Sequence, residues 1–410
     1  MCETSSHCKS ASFKIPDLSL DTKLVHGTAP FDPVTGAISV PIYQSSTFRH
    51  PALHESTGFD YSRVINPTRQ ELERTMALIE GGAYGLAFSS GMGAISAIIK
   101  LYKPGDHILV SEDLYGGTYR LFNEYYAKYG FTFSWTDTSD FSRIEAGLRP
   151  ETRAVFIETP SNPMMKVTGI RRTAELIHRR GGDLIVDNTF LSPYFQNPLA
   201  LGADFVIHSG TKYLAGHNDT LSGFIVHSRE DQEEALRNIQ KSEGAALGPF
   251  DSWLVLRGLK TLALRMERHN AGAGRIARWL REQDRVDRVF YTGFEDHPQY
   301  ELSRSQARGF GGMISFYLKK REDVDVLLRN LRLILFAESL GGVESLITYP
   351  LEQTHGAIPE AMRLSAGVND RLMRLSVGIE APEDLIADLE EAFRRCAAAS
   401  CPRRGHKSTN

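Results

Sequence analysis

Between Lys9 and Arg395 the chain contains no cysteine; its four thiols, Cys2, Cys8, Cys396 and Cys401, lie in the terminal segments. That excludes a catalytic cysteine in the body of the protein and argues against a disulfide framework or a thiolate metal site. Long apolar runs are also missing. Nothing approaches the roughly 18 apolar residues of a membrane span, and "MCETSSHCKSASFK" lacks the apolar region of a signal peptide. An excess of either charge is absent, with 47 basic against 50 acidic residues, so neither nucleic acid nor a membrane surface is expected as the main partner. No GxGxxG follows a strand, which sets aside a nicotinamide-binding sheet. Thirteen histidines show no HExxH or other close ligand spacing, and no metal is assigned. The chain reads as soluble and cytosolic.

What is present is a rhythm. From about Leu72, short β-branched runs ("DHILV" at 106, "RAVFIE" at 153, "DLIVDN" at 183, "DFVIH" at 204) alternate with helix-like segments such as "GMGAISAIIKLY" and "TAELIHRR". Such alternation predicts an α/β fold with a large, mostly parallel sheet covered on both faces. A long helical stretch from Pro249 to Arg281 changes the rhythm. Beyond it "GGMISFYL", "LRLILFAES" and "DRLMRLSV" predict a smaller C-terminal α/β domain. The division expected is an N-terminal arm over 1–62, a large domain over 63–260 and a small domain over 261–410. The first fourteen residues and the basic tail "CPRRGHKSTN" read as frayed ends.

Within "DFVIHSGTKYLAGHNDTLSGFIV", Lys212 sits where two apolar strands meet. Burial in apolar surroundings disfavours the charged form of a lysine, and a neutral amine can form a Schiff base with a carbonyl. On this stretch alone a solvated loop lysine is the plainer explanation, since most lysines are solvated. Its neighbours shift the balance. The turn "SSGMGA" follows the apolar run "GLAF" and opens a helix, so Gly91 lets backbone N–H groups approach an anion at a helix N-terminus. Asp187 ends the run "DLIVD", which puts a carboxylate at the carboxyl edge of the sheet, where open α/β sheets bind ligands. Ser209 and Thr211 add hydroxyl donors beside Lys212. A tight turn and a helix-capping aspartate are the plain alternatives, one by one. Together, in this order, the features describe a site for pyridoxal 5'-phosphate (PLP), whose ring needs a carboxylate at its nitrogen to act as an electron sink.

The motifs "GAISVPIYQSSTF", "FDYSRVINPTR", "AFSSGMGAI", "DLYGGTYR", "ETPSNP", "IVDNTF", "SGTKYLAGHND", "ESLGGVESL" and "RLSVGIE" resemble, in sequence order, the Cys/Met-metabolism or trans-sulfuration family of PLP enzymes. The resemblance runs from about Thr22 to Phe393. It implies PLP fold type I, the aspartate-aminotransferase type. It also implies Lys212 as the Schiff-base lysine, Asp187 at the pyridine nitrogen, and Gly91, Met92, Ser209 and Thr211 at the phosphate. Tyr115 would stack on the ring and serve as a second acid/base. Tyr61 and Arg63 match the family's "YSR" motif, which reaches the phosphate of a neighbouring subunit; the resemblance therefore implies at least a homodimer and usually a homotetramer. Arg374 would pair with the substrate α-carboxylate, a role suited to the guanidinium fork, and Asn162 and Ser339 would line the substrate site.

The substrate implied is a γ-substituted amino acid. Gly117 stands where methionine γ-lyases carry a cysteine, and Glu338 matches an acidic residue that in cystathionine γ-synthases and γ-lyases meets the distal ammonium. The best match is thus a cystathionine γ-lyase or γ-synthase type of enzyme. Methionine γ-lyase, cystathionine β-lyase, a γ-lyase for another Cγ-heteroatom amino acid and an inactive scaffold stay open. Two departures from the family pattern lie near the cofactor: "SGT" with Gly210 in place of "SAT", and "HND" with Asn218 in place of "HSD".

Overall fold

The computed structural model describes residues 15–356 and 358–400. Cys2, Cys8, Cys401 and both ends expected to fray therefore lie outside the described residues, which begin with the short 3-10 turn Ile15–Asp17. Seven strands form the first sheet: β1 (Tyr84–Phe88), β2 (His107–Ser111), β3 (Thr132–Thr136), β4 (Thr152–Glu158), β5 (Asp183–Asp187), β6 (Phe205–Ser209) and β7 (Gly223–His227). Their order is β1-β7-β6-β5-β4-β2-β3. All neighbours from β6 to β3 run parallel, and β7 alone is reversed, pairing antiparallel with both β6 and β1.

Period-two burial explains why the apolar runs become central strands. Ala154 and Phe156 of β4 pack into one core layer with Ile185 and Ile207, whereas Val155 and Ile157 pack into the opposite layer with Leu184 and Val206. Side chains alternate across a strand, so a strand covered on both faces has to be apolar throughout. The consequence matters for function. The carboxyl ends of β1, β4, β5 and β6 share one edge, carrying in turn Ser90, Glu158, Asp187 and Ser209.

A second sheet of five strands contains β8 (Val286–Phe290), β9 (Met313–Leu318), β10 (Leu335–Phe336), β11 (Leu346–Thr348) and β12 (Leu372–Ser376), in the order β10-β11-β12-β9-β8. It packs its apolar face against the helices Leu262–Arg281 and Pro382–Ser400, in a core that includes the buried Cys396. One expectation changes here. "LRLILFAES" yields only the two-residue β10, because the Asp388 carboxylate captures the N–H groups of Arg332, Leu333 and Ile334 at 2.9–3.0 Å and withholds them from a ladder. The short "LIT" segment takes the place beside β12 instead.

The stretch from Pro249 to Arg281 is two helices, Pro249–Leu259 and Leu262–Arg281. The buried guanidinium of Arg265 donates through Nη2 to the Gly258 carbonyl at 2.8 Å and through Nη1 to the Tyr213 carbonyl at 2.6 Å. It therefore diverts a carbonyl at the helix break while stapling the turn that carries Lys212. No helix among the described residues is long and apolar enough to cross a membrane.

Candidate active site

The sheet's carboxyl edge and the loop Glu338–Leu340 enclose a cavity of about 320 Å³. Most of the residues singled out from the sequence border it: Gly91, Met92, Tyr115, Asn162, Asp187, Ser209, Thr211, Lys212, Glu338, Ser339 and Arg374. Segments more than 280 residues apart in the chain meet there. Tyr61 and Arg63 do not border this cavity. They lie where the arm meets the large domain, with the Arg63 guanidinium 5.4 Å from the Tyr61 ring and donating to the Lys241 carbonyl at 2.7 Å.

Lys212 follows β6 through a turn in which its own N–H donates to the Ser209 carbonyl at 3.2 Å. Its amine donates to Ser339 Oγ at 2.8 Å. Burial pushes the amine down to about 8, the Arg374 charge pushes the same way, and Glu338 opposes both. Ser339 holds a positive φ of 93°, unusual for a residue with a side chain. That backbone is pinned from one side by Arg374, whose Nη2 donates to the Ser339 carbonyl at 3.2 Å.

Arg374 is itself buried in β12. Nη1 donates to Asn162 Oδ1 at 2.8 Å and Nη2 to Thr348 Oγ1 at 3.1 Å, while Nε has no partner among the described residues. Burial lowers its pKa only to about 10, so the guanidinium stays charged at neutral pH. A buried guanidinium that stays charged and borders a cavity is suited to a carboxylate.

At the floor, burial raises the Asp187 carboxyl, while the Thr189 side chain and N–H, the latter at 3.0 Å, and then the His208 ring act against that rise. Beside it Glu158 is held well above the ordinary carboxylate range, first by burial and next by the Asp187 charge; it accepts the Tyr115 N–H at 3.0 Å. Glu158 was missed as a site residue although it ends an apolar run in the same way as Asp187. Thr189, Phe190 and Thr354 also line the cavity. Nothing local in the sequence marks Thr354, which only the fold delivers.

The helix Gly91–Ile99 points its first N–H groups at the cavity, capped by Ser90 Oγ accepting from the Gly93 N–H at 3.1 Å. The first N–H groups of a helix have no partner inside it and favour an anion. A Cβ on Gly91 would lie 2.9 Å from Ser209 Cβ, so only glycine lets this turn close on β6. Gly210 shows why "SGT" stands here. A Cβ there would come within 2.3 Å of the fully buried Phe224 ring and 2.4 Å of Ser222 Oγ. Overpacking of this kind costs about 1–3 kcal/mol. Gly210→Ala is therefore expected to lower the melting temperature, and Phe224→Leu in the same chain should recover part of it; a thermal melt that leaves the single variant at the parent value would contradict the clash. Asn218, the other departure, adopts φ 55° and donates to Glu344 Oε2 at 2.7 Å, joining the lysine loop to the β11 side.

An amine with a lowered pKa, a buried carboxylate under it, an anion cradle and a buried arginine, all at the carboxyl edge of this sheet, define a PLP-dependent enzyme of fold type I. The chain belongs to the Cys/Met metabolism PLP-dependent enzyme family, whose sequence signature matches residues 21–394. It is 51% identical over 374 residues to a cystathionine gamma-synthase/O-acetylhomoserine (thiol)-lyase of Bacillus subtilis (strain 168), covering 91% of this chain and 96% of that one. It is 46% identical to a cystathionine beta-lyase of Lactococcus lactis subsp. cremoris (strain MG1363), covering 92% and 99% of the two chains. Its fold superposes with a TM-score of 0.90 on the crystal structure of cystathionine gamma-lyase from Lactobacillus plantarum complexed with L-serine, at 43% identity, covering 92% and 99%.

The cavity fits the cofactor: Gly91, where a Cβ would strike Ser209, lets the helix N-terminus close on β6 as an anion cradle, and Asp187 supplies the buried carboxylate. One consequence is measurable. With the amine at about 8, only about a tenth is neutral at pH 7 and about a hundredth at pH 6. Capture of PLP by the apoprotein should therefore quicken about tenfold per pH unit and level off above about pH 8. A stopped-flow rate that is flat from pH 6 to 9 would show that the amine is not depressed.

Proposed function

We propose that the protein is a γ-acting enzyme of sulfur amino-acid metabolism that makes or breaks cystathionine, by γ-replacement or γ-elimination. The observation that carries this reading is the placing of Glu338 and the charged fork of Arg374 on the same cavity as the Lys212 amine. Arg374 with Asn162 takes the α-carboxylate, Lys212 lies between, and Glu338 on the loop before Ser339 meets the distal ammonium. Bound PLP supplies an electron sink that acidifies Cα and then Cβ.

The chain's own groups do the rest. Gly91, Met92, Ser209 and Thr211 hold the phosphate, and Asp187 keeps a positive charge on the ring nitrogen. Tyr115 covers the ring and serves as a second acid/base. With the cofactor bound, the Lys212 amine would move protons at Cα and Cβ of the amino acid. Ser339 holds that amine in line through the 2.8 Å hydrogen bond.

Assembly belongs to the same reading. The arm leaves Val34, Ile38 and Leu53 more than four-fifths exposed, and Tyr61 and Arg63 away from their own cavity. Apolar exposure on that scale suits a second copy of the chain. Tyr61 and Arg63 then complete the partner's phosphate site in a homodimer or tetramer, in the cytoplasm. The division into 1–62, 63–260 and 261–410 is supported by one sheet lying within 84–227 and the other within 286–376.

A second reading, cystathionine β-lyase, is favoured by the 46% identity to the enzyme of that name. The two are separated by product. Purified holoenzyme given cystathionine should release 2-oxobutyrate, or form cystathionine from an O-acyl homoserine and cysteine; pyruvate as the main keto acid would favour the β-lyase. Hydrogen bonds to charged groups contribute about 1.5–3 kcal/mol, less where solvent reaches them, as it does at the exposed Glu338. Glu338→Ala should thus raise KM for cystathionine about tenfold while an uncharged γ-substrate loses little. Equal losses for the two substrates would remove the role given to that carboxylate.

A further inference from the structure

One buried imidazole outside the chemistry touches both walls of the substrate end. His355 lies in the turn after the short helix Pro350–Gln353 and is buried. Its Nε2 lies 3.1 Å from the Leu114 carbonyl and 3.2 Å from the Asn162 carbonyl. Two carbonyls can only accept, so Nε2 carries the proton. Its Nδ1 lies 2.7 Å from Thr354 Oγ1. In the neutral ring Nδ1 accepts, so the Thr354 hydroxyl donates to it and turns its lone pairs to the cavity that Thr354 lines. Burial, with the Arg374 charge second, pushes the ring down to about 4, which agrees with a neutral imidazole.

The two carbonyls belong to segments that matter. Leu114 precedes Tyr115, and Asn162 is the acceptor for Arg374 Nη1. The backbone is pressed together at the same point, since a Cβ on Gly116 would fall 2.0 Å from the Thr354 carbonyl oxygen. We propose that His355 is a positioning residue for amino-acid binding: from 241 and 193 residues away in the chain it ties the Leu114 carbonyl, beside Tyr115, to the Asn162 carbonyl, and it orients the Thr354 hydroxyl toward the bound amino acid. This rests on Arg374 and Asn162 receiving the α-carboxylate.

The test uses two substitutions that each imitate one ring nitrogen. His355→Gln places an amide N–H at the Nε2 position and keeps the tie to both carbonyls; His355→Asn places a carbonyl at the Nδ1 position and loses it. Holoenzymes are titrated with L-alanine, which any α-carboxylate site for amino acids should bind, and followed through the visible band of the cofactor, with melting temperatures recorded alongside. The His355→Gln protein should bind within about threefold of the parent and His355→Asn at least about tenfold more weakly, both folded. In an Asn162→Ala background, His355→Asn should add less than about twofold, because coupled residues are not additive. Parent-like binding by His355→Asn, equal losses in the two variants, full additivity, or a His355→Asn protein that does not fold would overturn the proposal. A parent enzyme with no saturable response would remove the reading of the carboxylate site itself.

Discussion

Replacing Lys212 with alanine is expected to lower turnover by about 10³-fold or more and to remove the visible band of the lysine-bound cofactor. The magnitude follows from the residue's position. A positioned acid or base contributes about 10²- to 10⁴-fold, and on the proposed reading this amine also holds PLP covalently. Among the described residues no other lysine lines the cavity. Arg374 is held charged and the histidine closest in sequence, His208, is buried behind Asp187, 3.5 Å from Glu80. Lys212→Arg should fare no better, because a guanidinium does not deprotonate at neutral pH. The check is a spectrum and a single-turnover assay on the same sample. Parental turnover in Lys212→Ala would remove the mechanism, whereas loss of turnover with the band intact would detach catalysis from cofactor holding.

The second large effect is expected at Arg374. Arg374→Ala should raise KM about 30- to 5000-fold, from the roughly 2–5 kcal/mol that follows truncation of a buried, hydrogen-bonded charge. Part of that loss arises within the protein. Asn162 Oδ1, Thr348 Oγ1 and the Ser339 carbonyl would all lose a donor together. Because the Ser339 backbone sits at positive φ and its hydroxyl receives the Lys212 amine, kcat should fall as well, by a smaller factor. Arg374→Lys keeps the charge but offers one compact ammonium in place of a planar fork, and it should recover less than a tenth of the loss. Steady-state KM and kcat for the three proteins test this directly. A KM unchanged in Arg374→Ala would place the carboxylate elsewhere.

The seven-stranded sheet was legible because doubly covered strands are apolar at every position, and "RAVFIE", "DLIVDN" and "DFVIH" carry that pattern without ambiguity. Lys212, Asp187 and the Gly91 turn were legible for a related reason: each sits at the end of such a run, so strand direction alone brings them to one edge. The smaller sheet was less readable. Whether "LRLILFAES" forms a strand depends on Asp388, more than fifty residues away, which takes the hydrogen bonds that a ladder would need.

Residue order in the chain thus determined the fold class, the cofactor and the end of the sheet that carries the candidate site, since these depend on local period and on polar groups at the ends of apolar runs. Tertiary structure alone decided that Gly210 accommodates the Phe224 ring, that Glu158 stands beside Asp187, and that Thr354 and His355 reach the Asn162 and Tyr115 walls. Those contacts join segments separated by up to 241 residues. Only packing, not periodicity, specifies which distant groups share a hydrogen bond.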